Sequence, residues 1–324
     1  MIIYEPPKAA TDIPIVDFTD AASPDLEARK AVAWEVHKAA RETGFFYLSG
    51  HGVPRALTEG QLAAASRFFA QPAEQKQAVH IGKSTNMRGY DGMQGQALDE
   101  GAPPDLKESM VFGRELGPDH PLIKRGIPFE GPNQWPAGLD GFRSQVEAYT
   151  DAMAVLGRRI AATIALSLEL PENYFDDGVA EPNCAVRMLH YPPHPTTAAF
   201  NQLGAGAHTD WGLLTILLQD DCGGLEVQNL DGSWIRADPI PDTFVINLGD
   251  MVPRFTNGLY HSNVHRVLNN VSGRDRYSIA TFFNPPFDYR FAVVPTCLKP
   301  GETAPEPRSF GEHIQDMMQR TKAA

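Results

Sequence analysis

At 324 residues and 42% apolar content, the chain is long enough for one large domain or two ordinary ones and can bury a sizeable core. Its formal net charge of −12 argues against nucleic-acid and anionic-membrane partners, which need clustered Lys and Arg, and leaves small-molecule chemistry as the expectation. Cys184, Cys222 and Cys297 are odd in number and far apart, so neither a disulfide framework nor a zinc knuckle is suggested, and a cytoplasmic location fits. The opening "MIIYEPPKAATDIPIVDF" has no basic segment leading into a continuous apolar run, and no later run reaches the ~20 apolar residues of a membrane span. Neither export nor an anchor is expected.

Taken along the chain, "IPIVDF" (13–18) reads as a strand, and Ser23-Pro24-Asp25 reads as a helix start with proline in the first turn, the helix running to about Glu42. Gly44 closes that helix, "FFYLSG" (45–50) reads as the next strand, and residues 57–70 return to helix and stop before Pro72. From Met87 to about Asn133 the sequence is rich in Gly, Pro and polar residues without a sustained period, and reads as loop. Phe142, Val146, Tyr149, Met153, Leu156, Ile160 and Ile164 then alternate spacings of four and three, which predicts a long helix with one buried stripe, ended by Pro171.

After Pro182 come eight short β-like runs (184–191, 213–219, 224–228, 233–237, 243–248, 264–268, 277–283 and 289–294), a density that suggests a sandwich or jelly roll. Asp231-Gly232 supplies a hairpin turn between two of them. The expected organisation is an N-terminal region over 1–135, a long supporting helix over 136–180, a jelly-roll core over 181–295 and a C-terminal tail with a helix over 296–324. No repeat or low-complexity linker divides the chain, so the helical and β parts are expected to share one core.

The stretch "GAHTDWGLLTILLQ" places His208 and Asp210 two apart, on one face if the segment is a strand. A carboxylate buried beside "LLTILL" costs several kcal/mol unless something cationic or hydrogen-bonding pairs with it. On residue types alone the pair reads first as a hydrogen-bonded pair at a strand end and second as half a metal site. His265, in "SNVHRVLNN", adds a third donor: two imidazoles and one carboxylate on neighbouring strands form a facial triad with three open positions, which suits iron(II), whereas zinc prefers four-coordination. Arg276 and Ser278, in "DRYSIATFF", again share a face; a guanidinium clamps a carboxylate through two parallel bonds and the hydroxyl adds a donor. A dicarboxylate co-substrate is implied, the alternative being an arginine in a surface ion pair.

In order, "HTD", "FVINLGDMVPRFTNGLYHSNVHRV" and "RYSIATFFNPP" resemble the isopenicillin N synthase-like branch of the 2-oxoglutarate/Fe(II)-dependent dioxygenases. "IPIVDF", "ETGFFYLSGHGVP" and "RMLHYPPHP" extend the similarity over most of the chain. The resemblance implies a mixed α/β, mainly β fold with a double-stranded β-helix (jelly roll) core. It implies Fe(II) held by His208, Asp210 and His265. It further implies 2-oxoglutarate held by Arg276, Ser278 and Tyr191, and O2 as oxidant. Oxidation of a small molecule, by hydroxylation or a related step, would release succinate and CO2. Family members often carry Asn where this chain has Leu189, so that contact to the co-substrate is missing.

Phe282 shares the predicted inward face of Arg276 and reads either as substrate contact or as core; Arg88 and Tyr90 are substrate-contact candidates on the loop-rich stretch. Trp211 should point away from Asp210, and His190, His194 and His261 read as structural. Asn247, Gly249 and Asp250 read as turn chemistry before His265. Two other functions compete: a 2-oxoglutarate-independent Fe(II) oxidase of the isopenicillin N synthase type, and a non-catalytic or zinc-bound jelly-roll binding protein. A monomer or weak homo-oligomer is expected.

Overall fold

A computed structural model describes residues 10–93, 103–194 and 202–323. The first nine residues of the N-terminal reading and residues 94–102 of the loop-rich stretch therefore lie outside the described residues. The chain opens with β1 (Ile15–Asp17), α1 (Leu26–Glu42), β2 (Phe45–Ser49), α2 (Arg55–Phe69) and α3 (Ala73–Ala78). β3 (Gly89–Asp91), β4 (Glu108–Gly113), α4 (Pro121–Lys124), α5 (Phe142–Ser167) and α6 (Asp176–Val179) follow. The strands β5 (Asn183–Tyr191), β6 (Ala205–His208), β7 (Leu214–Gln219), β8 (Leu225–Gln228), β9 (Trp234–Arg236) and β10 (Phe244–Leu248) come next. The chain closes with α7 (Met251–Phe255), β11 (His265–Val267), β12 (Arg276–Asn284), β13 (Arg290–Phe291), β14 (Arg308–Ser309) and α8 (Phe310–Ala323).

Two sheets face each other. The major sheet runs β1-β2-β10-β7-β12-β5-β4-β3 and the minor sheet β6-β11-β8-β9. Strand alternation sorts the major sheet's side chains between two cores. Ile216, Leu218, Ile279, Phe283, Val186 and Met188 pack with the helices, whereas Leu217, Ala280, Phe282, Leu189 and Tyr191 face the minor sheet. α5 buries all seven residues of its predicted stripe. Gly157 in that helix lets the Phe283 ring approach, since a Cβ there would lie 2.3 Å from the ring.

Several expectations need correction. α1 starts one residue after Asp25, whose carboxylate accepts from the Glu27 amide at 3.0 Å, so Pro24 precedes the cap and does not enter the first turn. The stretch from Met87 to Asn133 holds β3, β4 and α4; the six residues of β4 were hidden between Gly- and Pro-rich flanks. β4 pairs along β5 and extends the major sheet, so the N-terminal region and the jelly roll share one sheet. Of the run 289–294 only Arg290–Phe291 is strand, pairing with Arg308–Ser309 outside the two main sheets. Among the described residues, no helix is long and apolar enough to cross a membrane.

Candidate active site

The space between the sheets is a cavity lined by residues of both. His208, the last residue of β6, pairs directly with His265 on β11, which brings their ring centroids to 4.3 Å. Asp210 arrives differently from the strand alternation expected, because β6 has ended at His208. The chain turns back there: the Asp250 amide donates to the Asp210 carbonyl at 2.8 Å. The turn is tight enough that a Cβ on Gly212 would lie 1.9 Å from Asn284 Oδ1, and one on Gly249 2.2 Å from the Gly212 carbonyl oxygen. The donor atoms of His208, Asp210 and His265 all fall within 4.8 Å of one another.

Hydrogen bonds leave one free donor atom on each of the first two groups. His208 Nδ1 donates to the Gly206 carbonyl at 2.8 Å, so Nε2 keeps its lone pair and faces Asp210 Oδ1 at 4.0 Å. Asp210 Oδ2 accepts from Thr215 Oγ1 at 2.6 Å and Asn247 Nδ2 at 2.8 Å, leaving Oδ1 open. His265 Nδ1 points toward the Asn263 carbonyl at 3.4 Å. Burial, and then the neighbouring His265, push the His208 pKa down to about 3, so the ring is neutral. Burial alone would raise the Asp210 carboxyl, but the two imidazoles and the bonds from Thr215 and Asn247 outweigh it and keep it ionised below its ordinary value. A neutral His208 imidazole beside an ionised Asp210 carboxylate is the protonation state that a divalent metal requires of those two groups.

Arg276 defines the other end. It is 2% exposed, its Nη2 donates to Gln219 Oε1 at 3.1 Å, and its guanidinium carbon lies 4.6 Å from the centre of the Tyr191 ring. Its Nε and Nη1 are buried with no hydrogen-bond partner among the described residues. A buried cation with two orphaned donors is costly unless an anion joins it. Ser278, also 2% exposed, stands two residues along the same face. The donor set thus fits a metal at one end of the cavity and a carboxylate at the other.

Phe282 and Tyr191 line the cavity with Arg276 and Ser278. Leu189, the departure from the family pattern, lines it too, paired with Ser278 in the sheet. Arg88 and Tyr90 do not. Arg88 is buried among the carbonyls of Arg114, Gly131 and Phe129 and the Asn133 side chain, bracing the segment before Asn133. Tyr90 donates to Glu108 Oε2 at 2.5 Å within the core, because β3 is a sheet strand and not a loop at the mouth. Trp211 is absent from the cavity wall, and its carbonyl accepts from His313. His190 lies between Glu108 and Asp275.

Sequence reasoning passed over Thr215, Asn247, Lys107 and Arg187, all of which line the cavity. Asn247 is a buried residue of β10 and no turn residue. A signal existed for Thr215, a lone hydroxyl in the apolar run "LLTILL"; Lys107 lay in the stretch read as loop, where no period could assign it a face.

Residues 13–138 match the family described as the non-haem dioxygenase in morphine synthesis N-terminal region, and residues 182–285 match the 2OG-Fe(II) oxygenase superfamily. The 2-oxoglutarate-Fe(II) type oxidoreductase hxnY of Emericella nidulans is 39% identical over 316 residues, 96% of this chain and 89% of its own. Among solved structures, a full-length Neurospora crassa protein in complex with α-ketoglutarate and thymine superimposes with a TM-score of 0.84 at 30% identity, covering 97% of this chain and 100% of that one. A putative 2OG-Fe(II) oxygenase family protein from Caulobacter crescentus gives 0.83 at 31% identity, over 97% of this chain and 100% of its own. At 39% identity over nearly the whole chain, and with solved oxygenases of this fold superimposing at 30–31% identity, the chain belongs to the isopenicillin N synthase-like 2-oxoglutarate/Fe(II)-dependent dioxygenases.

Proposed function

We propose that His208, Asp210 and His265 hold the Fe(II) and that Arg276, Ser278 and Tyr191 hold the far carboxylate of 2-oxoglutarate, in an enzyme that hydroxylates a small molecule. Iron and co-substrate, when bound, supply oxidation by O2 with release of succinate and CO2. The chain's own groups orient and exclude. Thr215 and Asn247 fix which Asp210 oxygen faces the metal, Gly206 fixes the His208 tautomer, and apolar walls from Leu189, Leu217, Leu225 and Phe282 keep water away from the oxidant. The three free cysteines suit a reducing cytoplasm.

The observation that carries the reading is Arg276, a buried cation with two donors awaiting an anion on the same face as Ser278. Removing one partner of a buried ion pair costs on the order of 3–5 kcal/mol, about 10²–10³-fold or more in affinity. Anaerobic titration of the Fe(II) protein with 2-oxoglutarate, followed in the visible spectrum, should therefore show Arg276→Gln weakening binding by that order. Ser278→Ala should act in the same direction by about 0.5–1.5 kcal/mol. Full turnover in iron and O2 with 2-oxoglutarate rigorously removed would overturn the assignment in favour of the oxidase.

A further inference from the structure

The hydrogen bond that sets the His208 tautomer ends on Gly206, and the strand is irregular there. His208 pairs with His265 and Ala205 with Val267, so two residues of β6, Gly206 and Ala207, stand opposite one residue of β11, Arg266. A bulge of this kind re-aims the side chains beside it, here the His208 imidazole. A glycine in the bulge has no side chain to restrict its own backbone, so the direction of its carbonyl has to be set from outside.

The outside hold comes from the N-terminal region. β6 ends the minor sheet, with β11 along one edge; among the described residues no strand pairs with the other. The chain leading into β4 lies along that second edge. Gln202 Nε2 donates to the Pro104 carbonyl at 2.7 Å, the Leu106 amide donates to the Leu203 carbonyl at 2.9 Å, and the Gly206 amide donates to Asp105 Oδ1 at 2.9 Å. Asp105 is 3% exposed, and its Oδ2 accepts from Lys107 Nζ, so both carboxylate oxygens are engaged and the ion pair is satisfied within itself. Gly206 is thereby held at both of its polar groups: its amide by Asp105, and its carbonyl by His208 Nδ1 at 2.8 Å.

We infer that Asp105 is a positioning residue for the metal centre, aiming His208 through Gly206, with Lys107 orienting the Asp105 carboxylate. The inference rests on the assignment of His208 as a metal ligand. The test titrates the metal-free protein with Co(II), followed by calorimetry and by the visible bands of the bound ion, in two double variants that leave no lone charge buried. Asp105→Asn with Lys107→Met keeps an acceptor for the Gly206 amide; Asp105→Leu with Lys107→Met keeps the shape and removes the acceptor. The first should bind Co(II) nearly as wild type does. The second, folded by circular dichroism, should bind about 10–100-fold more weakly, with displaced Co(II) bands. Hydrogen exchange on wild type supplies a readout that needs no variant: because coupling is reciprocal, Co(II) should slow exchange of the amides of residues 105–107. Equal affinity and equal bands in the two double variants, or exchange at 105–107 that ignores Co(II), would overturn the inference alone. His208→Ala binding Co(II) as tightly as wild type would instead remove the metal assignment, and the inference with it.

Discussion

Asp210 has one oxygen held by Thr215 and Asn247 and one left open, so its geometry depends on two residues that touch no metal themselves. Partners of this kind typically change metal affinity or activity about 10–100-fold when removed. Thr215→Val and Asn247→Leu, which keep the branching and heavy-atom count of the originals, should each weaken Fe(II) binding by that order in an anaerobic titration; unchanged affinity in both would leave Asp210 orientation to the backbone turn alone. Phe282 faces the cavity and is only partly buried, packed at the edge of the inter-sheet cluster. Phe282→Ala should therefore raise the substrate KM or uncouple succinate release from product formation. A loss of about 3–5 kcal/mol with KM and coupling intact would make it core filler.

At the scale of elements, a polar cluster joins α3, β3, β4 and β5 behind the cavity. Glu108 of β4 accepts from Lys76 at 2.7 Å, Tyr90 at 2.5 Å and His190 at 2.7 Å, and His190 also reaches Asp275 at 2.9 Å. Burial alone would lower the His190 pKa, but its bonds to Glu108 and Asp275 raise it above 6.5. A raised folded pKa gives stability that is fully present below the unfolded value and is lost as pH rises through the folded one. The gap in Tm between wild type and His190→Gln should thus be wide at about pH 6 and narrow by about pH 9; an equal gap at both would deny the imidazolium any part in the fold. This cluster was illegible in the sequence, because its members are scattered along the chain and only pairing of β4 with β5 brings Glu108 to His190. The α5 stripe was legible because a 3.6-residue period is local. The same contrast holds within the site. His208 and His265 could be read from β-like runs, whereas Asp210 converges through a glycine turn that no alternation predicts.

At the scale of the whole molecule, the C-terminal helix reaches the metal end through the backbone. α8 packs its first turn into the core: Phe310 is 1% exposed, its amide donates to the Tyr289 carbonyl at 2.9 Å, and the Gly311 amide donates to the Phe287 carbonyl at 2.7 Å. His313, fully buried, donates from Nε2 to the Trp211 carbonyl at 2.6 Å, one residue after Asp210. Burial lowers its pKa, so the ring stays neutral and acts as a fixed donor. The turn that carries Asp210 is therefore held from three directions: by Asp250 through the Asp210 carbonyl, by Asn284 through the Leu213 amide at 2.8 Å, and by α8 through Trp211. Composition gave no warning of the third, since a histidine on an amphipathic helix reads as surface or core until its partner is known. His313→Leu keeps the packing but strands a buried carbonyl, which costs about 1–3 kcal/mol. The variant should lose that much in denaturant unfolding and, because the loosened segment carries Asp210, should also bind Fe(II) more weakly, with 2-oxoglutarate affinity at the Arg276 end much less affected. A variant that loses stability while holding iron as tightly as wild type would confine His313 to packing and separate the C-terminal helix from the chemistry.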